Sequence, residues 1–282
     1  MKSKKKICYN CQNNSKNLRK SVVKKKISSW KKKEGLKTKF PNDEILPLEN
    51  LNPDNYDRIF HLNLSKKFAN RYIYYYAADS KDDKNCLDIK YVKDAYGNYD
   101  NKGVVKTDMK GIAKLNLKCP QSYYVDKDNY FISHIHYLIS DKDNKKWLKT
   151  LYTERIICNI QKKELKEIIK KGCAVIINSL PFHEFIKDRI NNSISLPYDI
   201  VKSGKISEKQ IKSYLSNMII NYPKIYNLLK NKKIKLENIP MIVYCYDKNC
   251  NASDLLIENL VKIGFTNLKE YHDGIKGWLS IK

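Results

Sequence analysis

Near Asn159 the apolar period of the chain changes, and the change demands two different architectures. Before it, short runs rich in Tyr, Ile and Val are broken by Asp, Asn and Gly, at residues 71–77, 86–92, 103–106, 112–117, 131–139 and 148–152. Runs of that length, closely spaced, suit strands and predict an antiparallel β-sandwich. After it, Leu165, Ile168 and Ile169 fall on one helical face, and residues 174–177 read as a short buried strand. Helix and strand then alternate to the last residue, which predicts an α/β domain with a central parallel sheet. The expected organisation is a basic, disordered arm at 1–50, an all-β sandwich at 55–159 and an α/β domain at 160–282.

At 282 residues the chain has room for two cores of ordinary size. Its net charge of +25 comes from 55 Lys and Arg against 30 Asp and Glu, and within residues 1–40 Glu34 is the sole acid. Such a segment repels itself and suits a polyanion, nucleic acid included. Lys, Asn, Ile and Tyr are abundant throughout, so part of the basicity is compositional. Cys8 and Cys11 form a C-x-x-C pair, half of a zinc site with no second pair at the usual spacing. The eight cysteines are scattered rather than framework-like, which predicts reduced thiols in the cytoplasm or another intracellular reducing compartment. No uninterrupted apolar run reaches the roughly 18 residues of a membrane span, so no membrane partner is expected.

Ile242, Val243 and Tyr244 read as a buried strand ending in Cys245, and residues 252–263 as an amphipathic helix with Leu255, Leu256, Leu260 and Ile263 inward. The loop between them lies at the carboxyl end of a strand and the amino end of a helix, where open α/β sheets bind ligands. Backbone N–H groups and the helix dipole stabilise an anion there, and they favour a thiolate. Cys245 is therefore the expected nucleophile, with a lowered pKa. Cys250, close to the same helix start, is a second candidate: a resolving thiol, a disulfide partner, or the nucleophile itself. Lys248, Asn249, Asn251 and Ser253, together with Arg189, are the expected substrate-binding residues. Lys248 is the one cation of the loop, and without a bidentate guanidinium a phosphate would be clamped poorly.

An ordered series of segments in this region resembles the rhodanese family. It comprises residues 162–172 as an opening helix, Arg189 to Pro197 as an "H/R-I-x-x-A/S" turn, Ile242-Val243-Tyr244-Cys245, the following helix, Gly264 to Leu268, and Asp273-Gly274-Ile275-Lys276-Gly277-Trp278. The resemblance implies a sulfurtransferase in which Cys245 takes a sulfane sulfur as a persulfide and passes it to a thiol. It implies no cofactor, and as partners a small sulfane-sulfur donor and a thiol acceptor. The loop departs from the family in being longer and in lacking its Gly and Arg.

Residues 86–155 resemble the catalytic core of the intradiol ring-cleaving dioxygenases. The pieces are Gly97-Asn98-Tyr99, Thr107-Asp108-Met109-Lys110-Gly111, Pro120-Gln121-Ser122-Tyr123-Tyr124 and His134-Ile135-His136-Tyr137. The resemblance implies Fe(III) held by Tyr99, by Tyr123 or Tyr124, and by His134 and His136. Phe131 stands at the family's arginine position and Thr150 at its glutamine. Taken alone, His134 and His136 are alternate residues of a strand and project from one face, as a ligand pair or a hydrogen-bonded polar face. Three functions follow: sulfur transfer at Cys245 as the leading one, non-haem iron oxygenase chemistry, and a non-catalytic interaction protein that binds polyanions through the arm.

Overall fold

The computed structural model describes residues 52–53, 55–80, 90–126 and 129–280. The basic arm and the Cys8/Cys11 pair lie outside them. Among the described residues, one compact unit ends at Ile156 and a second begins at Ile157.

The first unit is antiparallel. Its strands are β1 (Arg58–Asn63), β2 (Tyr72–Ala77), β3 (Lys102–Lys106), β4 (Ile112–Leu117), β5 (Tyr123–Asp126), β6 (Asn129–Phe131), β7 (His134–Ile139) and β8 (Tyr152–Arg155), with one short helix, α1 (Val92–Ala95). A four-stranded sheet runs β3-β2-β7-β8, while β1 pairs with β4 and β5 with β6. Aromatic and β-branched residues dominate β2 and β7, the two central strands, as half-buried pleats favour. Thr107-Asp108-Met109-Lys110-Gly111 is the turn from β3 to β4: Asp108 Oδ1 accepts the N–H groups of Lys110 and Ile112, each at 2.8 Å. Gly111 has φ +78 and lies against the Ser65 carbonyl, where no β-carbon fits.

Three expected strands differ. Val92 opens a helix rather than closing a strand, and residues 86–89 lie outside the described ones. The run at 131–139 is broken between Phe131 and His134. The last strand sits at Tyr152–Arg155, because Trp147 and Leu151 are anchored separately in the core of Tyr76, Tyr96, Tyr123 and Leu138. The apolar count of 148–152 reflects those anchors rather than a pleat. Strand β1, with Ile59, Phe60 and Leu62 among three polar residues, was not among the expected strands.

The second unit alternates helix and strand: α2 (Lys162–Lys171), β9 (Val175–Asn178), α3 (Phe182–Lys187), β10 (Ile194–Ser195), α4 (Tyr198–Lys202), α5 (Glu208–Met218), α6 (Pro223–Lys230), β11 (Met241–Tyr244), α7 (Ala252–Lys262), β12 (Leu268–Tyr271) and α8 (Gly274–Leu279). The sheet order is β10-β9-β11-β12 and every pairing is parallel. Strands β9 and β11 are buried along their whole length, as a sheet covered on both faces requires. On α7 the buried apolar residues are Ala252, Leu256, Ile257 and Leu260, so Ile257 is inward whereas Leu255 and Ile263, expected there, are partly exposed.

The scattered cysteines are not uniformly reduced. Cys119, Cys158 and Cys173 are disulfide-bonded, whereas Cys245 and Cys250 are free thiols. No described helix is long and apolar enough to cross a membrane.

Candidate active site

Strand β11 delivers two consecutive residues to opposite faces of the sheet. Tyr244 packs with Leu165, Tyr271 and Ile275, and Cys245 packs with Leu180 and Ala252 under the Cys250 side chain. The Tyr244 hydroxyl accepts the Ile190 N–H at 3.0 Å and the Asn178 amide at 3.1 Å, and it shares a hydrogen bond of 2.9 Å with Ser193. The tyrosine of the V-Y-C strand thus pins the turn at Arg189–Pro197 to the sheet.

The loop that follows is folded back on itself. Asp247 accepts twice, the Cys250 N–H on its carbonyl and the Asn249 N–H on Oδ1, both at 3.0 Å. From the other side, the first turn of α8 holds the loop's start, with Ile275 N–H donating to Cys245 O and Lys276 N–H to Tyr246 O, each at 2.9 Å. Gly274 is required for this approach: its φ is +62, and a β-carbon on it would meet Tyr246 O at 2.4 Å.

The two thiols differ sharply. Cys245 is 1% exposed, Ser253 Oγ lies 3.3 Å from its sulfur, and the same hydroxyl donates to Glu270 Oε1 at 2.7 Å. Cys250 is half-buried. The Cys245 thiol donates to the carbonyls of Cys250 at 3.3 Å and Asp247 at 3.7 Å, and its proximity, together with the amides of Tyr246 and Ala252, lowers the pKa of the Cys250 thiol. Ala252 opens α7, so the dipole of that helix acts in the same direction. Cys245 shifts the opposite way, raised by the Cys250 thiol beside it and by burial. Cys245, the expected nucleophile, lies under Cys250 and Ala252, so Cys250 is the more exposed of the two sulfurs.

The other expected site residues divide. Ser253 is fully buried beneath Cys245 rather than presented to a ligand. Lys248 is exposed and pairs with Asp273 at 3.0 Å, and Asn249 and Asn251 are exposed on the loop. Arg189 lies with its guanidinium over the Phe185 ring at 5.3 Å. Beside the loop opens a cleft of about 690 Å³ lined by Lys162, Lys163 and Lys166 of α2 and by Lys248 and Lys276, which pair with its two acids, Asp273 and Asp247. Spacing alone gave no sign of Glu270, Gly274 or the α2 lysines, which come from segments distant in sequence.

A family model, the rhodanese-like domain, matches residues 161–281. Residues 161–281 form a rhodanese-like domain. Among solved structures, a rhodanese-related protein from Thermoplasma volcanium is 20% identical, with 43% of this chain and 90% of that one covered and a TM-score of 0.28. The human single-domain sulfurtransferase is 12% identical, over 44% of this chain and 96% of its own, with a TM-score of 0.32. No curated protein matches the chain.

Outside the rhodanese-like domain, a second polar cluster lies in the β unit. His134 and His136, both buried, bring their Nε2 atoms to 3.1 Å from each other. The Tyr123 hydroxyl is 3.1 Å from His134 Nε2, and Tyr96 OH is 3.1 Å from Tyr123 OH. The outer nitrogens are engaged behind, His134 Nδ1 with Ile132 O at 2.5 Å and His136 Nδ1 with Thr153 Oγ1 at 2.8 Å. Burial lowers the His134 pKa to about 4, so the ring is neutral. Of the two open tyrosines, Tyr123 joins the histidines, while Tyr124 packs its ring on Tyr91 and Tyr130. Tyr99, expected as a ligand, stacks on the Tyr96 ring at 5.0 Å, and the hydroxyl hydrogen-bonded to Tyr123 is that of Tyr96. Arg155 stands directly across the ladder from His134 with its Nε and Nη2 buried and without hydrogen-bond partners. Among the described residues no three His, Cys, Asp or Glu side chains gather as a metal site, so any metal here would need the tyrosine oxygens.

Proposed function

We propose that the rhodanese-like domain is a sulfurtransferase and that Cys250 is the thiol that accepts the sulfur. What supports this is the geometry of the loop: Cys250 is half-buried at the amino end of α7, whereas Cys245 lies beneath it and is 1% exposed. The Cys250 thiolate attacks the sulfane sulfur of an anionic donor such as thiosulfate. An S–S bond forms to Cys250, the donor's S–S bond breaks, and sulfite leaves with the electron pair. A thiolate acceptor then attacks the outer sulfur and Cys250 regains its charge. The lysine-lined cleft beside the loop suits the approach of such anions. Intact-mass measurement after thiosulfate treatment tests this: one added sulfur on the wild type and none on Cys250→Ser is expected. An adduct that survives Cys250→Ser but not Cys245→Ser would return the role to Cys245.

A second reading concerns the β unit, and the convergence of His134, His136 and Tyr123 with Tyr96 favours it. Two imidazoles and two phenols suit ferric iron, and Ile132 O and Thr153 would orient the rings, as partners behind metal-ligating histidines do. Bound there, iron would supply Lewis-acid and redox chemistry toward a catechol-like ligand. Tyrosinate-bound ferric iron would colour the protein, and iron content with a visible spectrum after reconstitution checks it. Colourless, iron-free protein would leave the cluster as a hydrogen-bonded core.

A further inference from the structure

Cys245 is 1% exposed, too deep to meet a donor from solution, and it packs against Cys250, whose carbonyl its thiol reaches at 3.3 Å. Asp247 O accepts the Cys250 N–H at 3.0 Å and the Cys245 thiol at 3.7 Å, which folds Cys250 back against Cys245. From Cys245 a chain of polar groups leads outward: Ser253 Oγ at 3.3 Å, Glu270 Oε1 at 2.7 Å from that hydroxyl, and His272 Nδ1 at 3.6 Å from the carboxylate. Glu270 is 1% exposed, an unusual place for a carboxylate unless it serves a neighbour, and His272 is partly exposed. Cys245 and Cys250 are, moreover, the described cysteines that remain thiols.

We infer that Cys245 is a resolving thiol, which displaces the sulfur carried by Cys250 as hydrosulfide and closes a Cys245–Cys250 disulfide across the loop. This rests on Cys250 being the sulfur acceptor proposed above. The Cys245 proton passes through Ser253 to Glu270 and onward by His272. The Cys245 thiolate attacks the inner sulfur, so that the bond between the two Sγ atoms forms. The bond from Cys250 Sγ to the outer sulfur breaks, and that sulfur leaves with the electron pair and a proton. Two thiols are oxidised and one sulfane sulfur is reduced to sulfide. A dithiol reductant, small or protein-borne, returns the loop to its starting state. Ser253 and Glu270 act as positioning residues, and the domain gains a second output, sulfide release, besides transfer to an external thiol.

The test uses the full chain, reduced at the loop and kept anaerobic, with one equivalent of thiosulfate. Sulfide is measured while the peptide carrying Cys245 and Cys250 is mapped by mass. In the wild type the adduct of one sulfur should rise and then decay into a loop disulfide, with one sulfide released per chain. Cys245→Ser, with Cys245→Ala as a second variant, should stop at the adduct and release none. Glu270→Gln should slow the decay roughly tenfold or more while sparing the rise, a split between phases that a general loss of packing would not produce. A wild-type adduct that persists without sulfide or disulfide overturns the resolving role and leaves sulfur uptake standing. No adduct in wild type or in either Cys245 variant removes the uptake reading instead. Uptake lost in Cys245→Ser but kept in Cys250→Ser reverses the roles and overturns the assignment.

Discussion

Gly274 lies so close under Tyr246 that a β-carbon on it would stand 2.4 Å from the Tyr246 carbonyl oxygen, and the residue's own φ is +62. The turn entering α8 and the sulfur loop are therefore fitted to each other through a residue that must lack a side chain. Gly274→Ala is expected to cost at least about 2 kcal/mol, from the left-handed backbone and the backbone contact together. Thermal denaturation measures the loss. A Cys250 alkylation rate that falls with it would show that the loop has moved.

Tyr244→Phe removes one oxygen and strands the Ile190 N–H and the Asn178 amide, which both donate to it. A buried donor left unsatisfied costs about 1–3 kcal/mol. Urea unfolding should show a midpoint shift of that size with an unchanged slope, since the native area is conserved.

The reactivity of Cys250 should depend on pH with a sign set by its lowered pKa. The thiolate is the reactive form, so iodoacetamide labelling should hold from alkaline pH down to about 6 and be lost below it. Cys245→Ala removes the neighbouring thiol and should move the midpoint up toward the ordinary thiol value of about 8.5. An unmoved midpoint would assign the anion's stability to the amides of Tyr246 and Ala252 alone.

In the β unit, Thr153→Val takes away the partner of His136 Nδ1 at 2.8 Å without touching the facing Nε2 atoms. If the cluster holds iron, affinity should fall about 10–100-fold, read by competition with a chelator. Equal retention by both proteins would place the metal elsewhere. His134→Ala should abolish retention outright.

The order of elements in residues 161–281, and the place of a reactive loop between a buried strand and a helix, could be read from periodicity, because both depend on neighbours in sequence. The two histidines could be paired for the same reason: alternate residues of β7 share a face. Spacing could not rank the two thiols. Their difference comes from depth beneath Ala252 and from where the Tyr246 and Ala252 amides point, which follow from how the loop is pressed against α8. Nor could it show that the Tyr96 hydroxyl meets that of Tyr123 while the Tyr96 and Tyr99 rings stack, an arrangement that depends on the turn carrying Tyr99 at φ +60. Glu270 meets Ser253, which touches Cys245, because β12 lies beside β11 in parallel while Ser253 comes from the first turn of α7. Sequence fixes which groups are near along the chain, while the low-dielectric contacts that set the charge of each depend on groups the fold brings from far away.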